Sequence, residues 1–137
     1  MIDIVNQLSL LVKLSKADNF LAKPESDMIH YLGNLYGLTE NEIETIIDYP
    51  KPVSNLMELD LEDKFDYLFN MVQLMKIDGK VFKSEIDFCK KTAILLGYNP
   101  NVIADLSAYI YSDPDITTKR SFLEEITNKH LINKEDI

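Results

Sequence analysis

One segment of this 137-residue chain occurs twice, and the spacing of its two occurrences constrains the fold more than any other feature. The segments share lysine, aspartate, lysine and glutamate at the same places: Lys16, Asp18, Lys23 and Glu25 in the first, and Lys76, Asp78, Lys83 and Glu85 in the second. The offset of 60 residues continues without a gap on both sides, at pairs such as Leu8 and Leu68, Val12 and Val72, Gly37 and Gly97, and Ile43 and Ile103. So many identities in one register indicate that a helical unit has been duplicated.

The hydrophobic pattern of the first copy predicts three helices. Apolar residues recur with the period of an α-helix over residues 2–17. A second helix is predicted between Pro24, which suits a first helical turn, and Gly37, which suits a helix end. Thr39 and Glu42 have the spacing of a capping box, so a third helix begins there and ends before the prolines that follow.

The second copy repeats this order, with predicted helices over about 61–77, then up to Gly97, and then from Asn99. No run alternates between apolar and polar residues, so we predict an all-α protein of about seven helices. One three-helix copy cannot bury its own apolar face, so the two copies are expected to pack together about a pseudo-twofold axis. The predicted boundaries are 1–137 for a single domain, about 5–50 and 65–110 for the copies, and about 115–132 for a C-terminal helix.

Charge and composition restrict the partners that this chain can have. The net charge of −9 repels phosphate, so we expect no nucleic acid or anionic membrane as a partner, whereas cations and basic protein surfaces are attracted. Cys89 is the one cysteine and lies in an apolar helical stripe, so we expect a buried, inert thiol. No stretch has the roughly 20 apolar residues of a membrane span. We therefore expect a soluble, cytoplasmic protein with another protein as its partner; a homodimer through the last helix is an alternative.

The repeated loop has the spacing of the second half of an EF-hand calcium loop. Aspartate, glycine, an aliphatic residue and glutamate follow one another from Asp78 as they do at EF-hand positions 5, 6, 8 and 12. Positions 1 and 3 would fall on Leu74 and Lys76, and in the first copy on Leu14 and Lys16. Neither leucine nor lysine supplies an oxygen ligand, so a working EF-hand is excluded.

Two interpretations of the repeated acids remain open. In one, Asp18 and Asp78 make turns, and Glu25 and Glu85 occupy the third helical position, where a carboxylate reaches back to free N–H groups. In the other, the four acids form a site for a divalent cation or a basic partner, brought together from both copies.

An enzyme is the alternative to a binding module. Asp27 and His30 lie on one helix face, and a catalytic ion held by His30 and the clustered carboxylates would require all of them within one coordination sphere. The chain has no Glu-x-x-His pair, which argues against a ferritin-like centre with two metal ions. His130 lies in a charged tail and is expected to be solvated.

With the repeat in view, the chain resembles the tellurite-resistance TerB-like family. The pattern is a helix that ends in Lys-x-Asp-Gly, an aliphatic residue two positions later, a glutamate seven after the aspartate, and a later glycine stop. The second copy carries it as Lys76, Asp78, Gly79, Val81, Glu85 and Gly97, and the first as Lys16, Asp18, Leu21, Glu25 and Gly37, with Asn19 in place of the first glycine. The likeness covers about residues 5–110.

The resemblance implies an all-helical, non-enzymatic module of about seven helices in two similar halves. The family is associated with tellurite resistance and with metal or envelope stress, and related domains are fused to partners such as co-chaperones. A cluster of acidic positions in these domains is taken as a metal site. Carried over by motif, that site would be Asp18, Glu25, Asp78 and Glu85, and the cofactor a divalent cation.

Overall fold

A computed structural model describes residues 3–18, 21–53, 55–77, 79–111 and 117–132, with only the backbone described at Asp18. These residues contain seven α-helices and no strand, which confirms the all-α prediction. The helices are α1 Ile4–Ser15, α2 Lys23–Leu35, α3 Glu40–Asp48, α4 Leu61–Lys76, α5 Lys83–Leu96, α6 Val102–Ser107 and α7 Arg120–Asn128. Short 3-10 turns follow α1 at Lys16–Asp18 and precede α4 at Leu56–Glu58. No helix in the described ranges is long and apolar enough to cross a membrane.

Side-chain caps and glycines set the helix boundaries much as the sequence predicts. The capping box of α3 is present, because Glu42 N donates to Thr39 Oγ1 at 3.2 Å and Thr39 N donates to Glu42 Oε1 at 3.0 Å. After α2 and α5 the chain turns at Gly37 and Gly97, whose φ angles of 89° and 103° favour glycine. The residue after each glycine donates to the carbonyl five positions earlier, both at 2.9 Å: Leu38 to Gly33, and Tyr98 to Ala93.

The core is centred on α1 and α4, which pack against each other. Helix α1 also contacts α2 and α3, and α4 also contacts α5 and α6. Their inward residues have no exposed surface: Leu8, Leu11, Val12 and Leu14 on α1, and Leu68, Met71, Val72 and Leu74 on α4. Each such side chain contributes about 1.5–3 kcal/mol through burial of apolar surface, so the helix pair is a large source of stability.

The C-terminal segment, which we define as residues 117–132, folds back onto α4 and α6. Helix α7 is shorter than predicted, and its extension is replaced at the end by an antiparallel bridge between Tyr98 and Leu131. Asn99 N donates to the carbonyl of His130 at 2.8 Å, which holds that histidine against the fold. His130 Nε2 lies 2.6 Å from Asp105 Oδ2, and the side chain is only 18% exposed. The prediction of a solvated His130 is therefore wrong, because the bridge carries the tail back to α6.

Candidate functional site

Two of the four predicted site acids are described in full, and both are buried. Glu25 and Glu85 lie at the third position of α2 and α5, and their exposed fractions are 3% and 2%. Asp78 and the side chain of Asp18 lie outside the described residues, so the four-residue site stays a prediction. Within the described part of the chain, no group of three or more His, Cys, Asp or Glu side chains is arranged to hold a metal ion.

Glu85 caps its helix, as one of the two interpretations predicts. Phe82, the residue before α5, has no side-chain acceptor, and its backbone N–H donates to Glu85 Oε1 at 3.1 Å. A carboxylate in this position satisfies a free N–H group and also favours the positive end of the helix dipole. The bond gives this buried carboxylate one of the polar contacts that burial requires.

The repeated lysines have a structural contact that the sequence reading missed. Lys16 Nζ donates to the carbonyl of Ile47 at 2.7 Å, and Lys76 Nζ donates to the carbonyl of Ser107 at 2.5 Å. The acceptors, like the donors, are 60 residues apart. Both carbonyls lie at the C-terminal end of a helix, where a cation also favours the negative end of the helix dipole. Each lysine therefore ties the end of the first helix to the end of the third.

His30 links α2 to α3 rather than pairing with Asp27. Its Nδ1 lies 2.9 Å from Glu40 Oε2, and its Nε2 lies 2.9 Å from Glu44 Oε1. The two carboxylates contact opposite edges of the ring, so they do not converge with one ring nitrogen on a single ion. Asp27 instead contacts Lys23, with 3.0 Å between Oδ2 and Nζ.

Cys89 is inert, as predicted. The thiol has no exposed surface and lies 4.0 Å from Met75 Sδ. Burial, with a smaller contribution from the charge of Glu85, raises the pKa of Cys89 to about 12. The thiol is therefore protonated at neutral pH and is a poor nucleophile.

A shallow groove of about 310 Å³ lies between the start of α1 and the outer face of α3. We call it the α1–α3 groove; it is lined by Val5, Leu38, Asn41, Glu42, Thr45 and Ile46. Val5, Leu38 and Ile46 give it apolar side chains, and Glu42, which is exposed, gives it a carboxylate. Glu40 and Glu44 do not line the groove, because both contact His30 on the side of α3 that faces α2. The groove therefore combines apolar side chains with one exposed carboxylate.

The C-terminal segment is anchored on α4 by Arg120, the one arginine of the chain. Its guanidinium lies 4.5 Å from the centre of the Phe65 ring, and its Nη1 lies 2.9 Å from Asp66 Oδ1. A second bond joins Arg120 Nε to Glu124 Oε1 at 2.6 Å. A guanidinium can stack on a ring and donate to two carboxylates at once, so this residue fixes the start of α7.

Comparison with known proteins gives no relative: no protein-family model, no curated protein and no solved structure matches the chain.

Proposed function

We propose that the chain consists of two copies of one TerB-like three-helix unit, followed by a C-terminal helix. The matched lysine bonds support this architecture, because Lys16 and Lys76 reach acceptors that are themselves related by the 60-residue offset. The glycine stops at Gly37 and Gly97 support it in the same way. Two unrelated halves would have no reason to share long-range bonds in one register.

We further propose that this protein is a small, non-enzymatic module that binds a protein partner on its first copy. The observation that carries this proposal is the α1–α3 groove, which combines the apolar side chains of Val5, Leu38 and Ile46 with the exposed carboxylate of Glu42. Apolar surface supplies the affinity in most protein interfaces, and complementary charge supplies orientation and rate of association. The setting that the TerB resemblance implies is a response to metal or envelope stress.

The charge of the chain supports a basic partner. Glu42 lines the groove and is exposed, and the chain as a whole carries a net charge of −9. An exposed carboxylate in the groove of an acidic protein attracts a basic surface over about 8–10 Å at physiological salt.

This function is tested by quantitative affinity purification with three forms of the chain: wild type, Thr45→Arg and Ser121→Arg. Thr45 is exposed in the groove, and Ser121 is exposed on α7, so the two variants make the same charge change at different surfaces. We expect one protein that co-purifies with wild type and Ser121→Arg, is lost with Thr45→Arg, and binds directly once purified. Equal recovery with both variants would contradict the proposal.

A divalent cation at the repeated corners is the second candidate function. Two observations favour it: Glu25 and Glu85 bury carboxylates at matching positions, and the 3-10 turn Lys16–Asp18 contacts α5, the helix that carries Glu85. Calorimetric titration with calcium, magnesium and zinc tests it, with an Asp18→Asn, Asp78→Asn double variant as the control. Micromolar binding that the double variant loses would support the cation, and the absence of any heat together with a melting temperature that no ion changes would exclude it.

A further inference from the structure

We propose that the α1–α3 groove receives a basic amphipathic helix of the partner, in the place that α7 takes on the second copy. The inference rests on the proposed function, because it names the partner element that the same groove would bind. The two copies differ, along the 60-residue offset, at residues that the C-terminal segment contacts.

The surface that the C-terminal segment covers corresponds to the groove. On the second copy, this segment contacts Phe65 through Arg120, pairs with Tyr98 through Leu131, and reaches Asp105 through His130. The first-copy counterparts of these three positions are Val5, Leu38 and Thr45, and all three line the α1–α3 groove.

Burial differs between the copies as this correspondence requires. Tyr98 has no exposed surface and Phe65 is 3% exposed, whereas their counterparts Leu38 and Val5 are only partly buried. Tyr109 packs edge-on against Phe122 of α7 with 5.0 Å between ring centres and is 40% exposed. Its counterpart Tyr49 is 78% exposed. No described residue of the chain supplies to the first copy the layer that α7 supplies to the second.

Helix α7 indicates what such an occupant must contain. Leu123 and Thr127, one turn apart, are each 1% exposed and face the core, and Ile126 packs beside them. Arg120 and His130, before and after this stripe, contact Asp66 and Asp105, whose first-copy counterparts Asn6 and Thr45 are uncharged, so α7 indicates the apolar pattern of the occupant and not its charge. An amphipathic helix with apolar residues at such spacing is the standard occupant of an apolar groove.

The charge of the groove favours a basic helix of another protein over a second copy of this chain. Glu42, which lines the groove, has the uncharged counterpart Val102, so this carboxylate belongs to the first copy alone. The α7 of a second molecule would present Glu124 and Glu125 and would bring a net charge of −9 towards another −9. Like charges at an interface disfavour that association.

The test uses the full-length chain and a synthetic peptide of residues 117–132 in which Glu124→Lys and Glu125→Lys make the helix basic. Binding is followed by amide chemical shifts in NMR spectra, with a scrambled peptide of the same composition as the control for charge alone. We expect shift changes at groove residues such as Leu38, Thr45 and Ile46, and at least about tenfold tighter binding than the scrambled peptide. Thr45→Arg should weaken binding about tenfold, and Ser121→Arg should change it less than twofold.

Each other outcome overturns the inference. Equal binding of the scrambled peptide, or shifts that spread over the whole surface, would reduce the effect to charge. Shifts at Tyr98 and Asp105 would mean that the peptide displaces α7. A wild-type dimer that Thr45→Arg converts to a monomer would identify a second copy as the occupant. If the peptide does not bind but Thr45→Arg still abolishes binding of a purified partner, the inferred helical occupant is wrong and the proposed function stands. If the peptide does not bind and Thr45→Arg loses no partner, the inference and the proposed function both fail.

Discussion

Removal of the two lysine bonds is the sharpest test of how the fold is held together. Lys16→Met and Lys76→Met keep most of the side-chain stem but delete the donors to the carbonyls of Ile47 and Ser107. A hydrogen bond from a charged group contributes about 1.5–3 kcal/mol when buried, and the exposure of Lys16 and the partial exposure of Lys76 reduce this to about 1–2 kcal/mol. For a chain of this length, such a loss lowers Tm by roughly 3–8 °C.

The assay is urea unfolding followed by circular dichroism, with Lys91→Met as the matched control. Lys91 is exposed, so its replacement should change the free energy of unfolding by less than about 0.5 kcal/mol. The two bonds lie in different copies, so the double variant should lose the sum of the single losses within about 0.5 kcal/mol. If Lys16→Met and Lys76→Met are as stable as Lys91→Met, the lysines do not hold the third helices, and this reasoning is refuted.

Three further predictions concern stability and reactivity. Gly97→Ala should lower the free energy of unfolding, measured in urea, more than Gly37→Ala. Both positions have positive φ, but a Cβ at Gly97 would lie 2.7 Å from Met57 Sδ, whereas a Cβ at Gly37 would meet nothing within 4 Å. Equal losses would contradict this. Tyr98→Phe should leave the free energy of unfolding unchanged or raise it by up to about 1 kcal/mol, because the buried hydroxyl has no hydrogen-bond partner among the described residues; a large loss would show that one exists. The pKa of Cys89 is raised from 9.0 to about 12 on folding, so the stability that the protonated thiol contributes is complete below pH 9 and is lost as the pH rises towards 12. Cys89→Ala should therefore flatten the decline of the free energy of unfolding in denaturation curves measured across this pH range.

The sequence predicts the local structure of this protein well because local chemistry determines it. The capping box at Thr39, the glycine stop at Gly97 and the glutamate cap at Glu85 each depend on residues within a few positions of one another. Helix order and the all-α class follow from the same short-range signals, which do not require knowledge of how helices pack.

Contacts that depend on packing are the ones that the sequence does not reveal. The bond from Lys16 spans 31 residues, and comparison of the loop with an EF-hand shows only that this lysine cannot be a calcium ligand. Helical spacing groups His30 with Asp27, but the approach of α3 supplies Glu40 and Glu44 instead. His130 is drawn to Asp105 by a bridge that no local pattern indicates.

The candidate groove depends on tertiary packing too, although its signal is present in the repeat. Val5 and Phe65 differ between the copies, as do Leu38 and Tyr98, and the C-terminal segment contacts the second member of each pair. Differences within the duplicated unit are therefore as informative as identities, because these pairs differ where the C-terminal segment lies on the second copy.

The most direct test of the account is site-specific photo-crosslinking in the cells that produce the protein, with benzoylphenylalanine in place of Thr45. We expect one discrete adduct, in which a basic helical segment of a second protein is joined to the α1–α3 groove, and no such adduct with the reactive group at Ser121. Identical adduct patterns from Thr45 and Ser121, or an adduct only between two molecules of this chain, would contradict it.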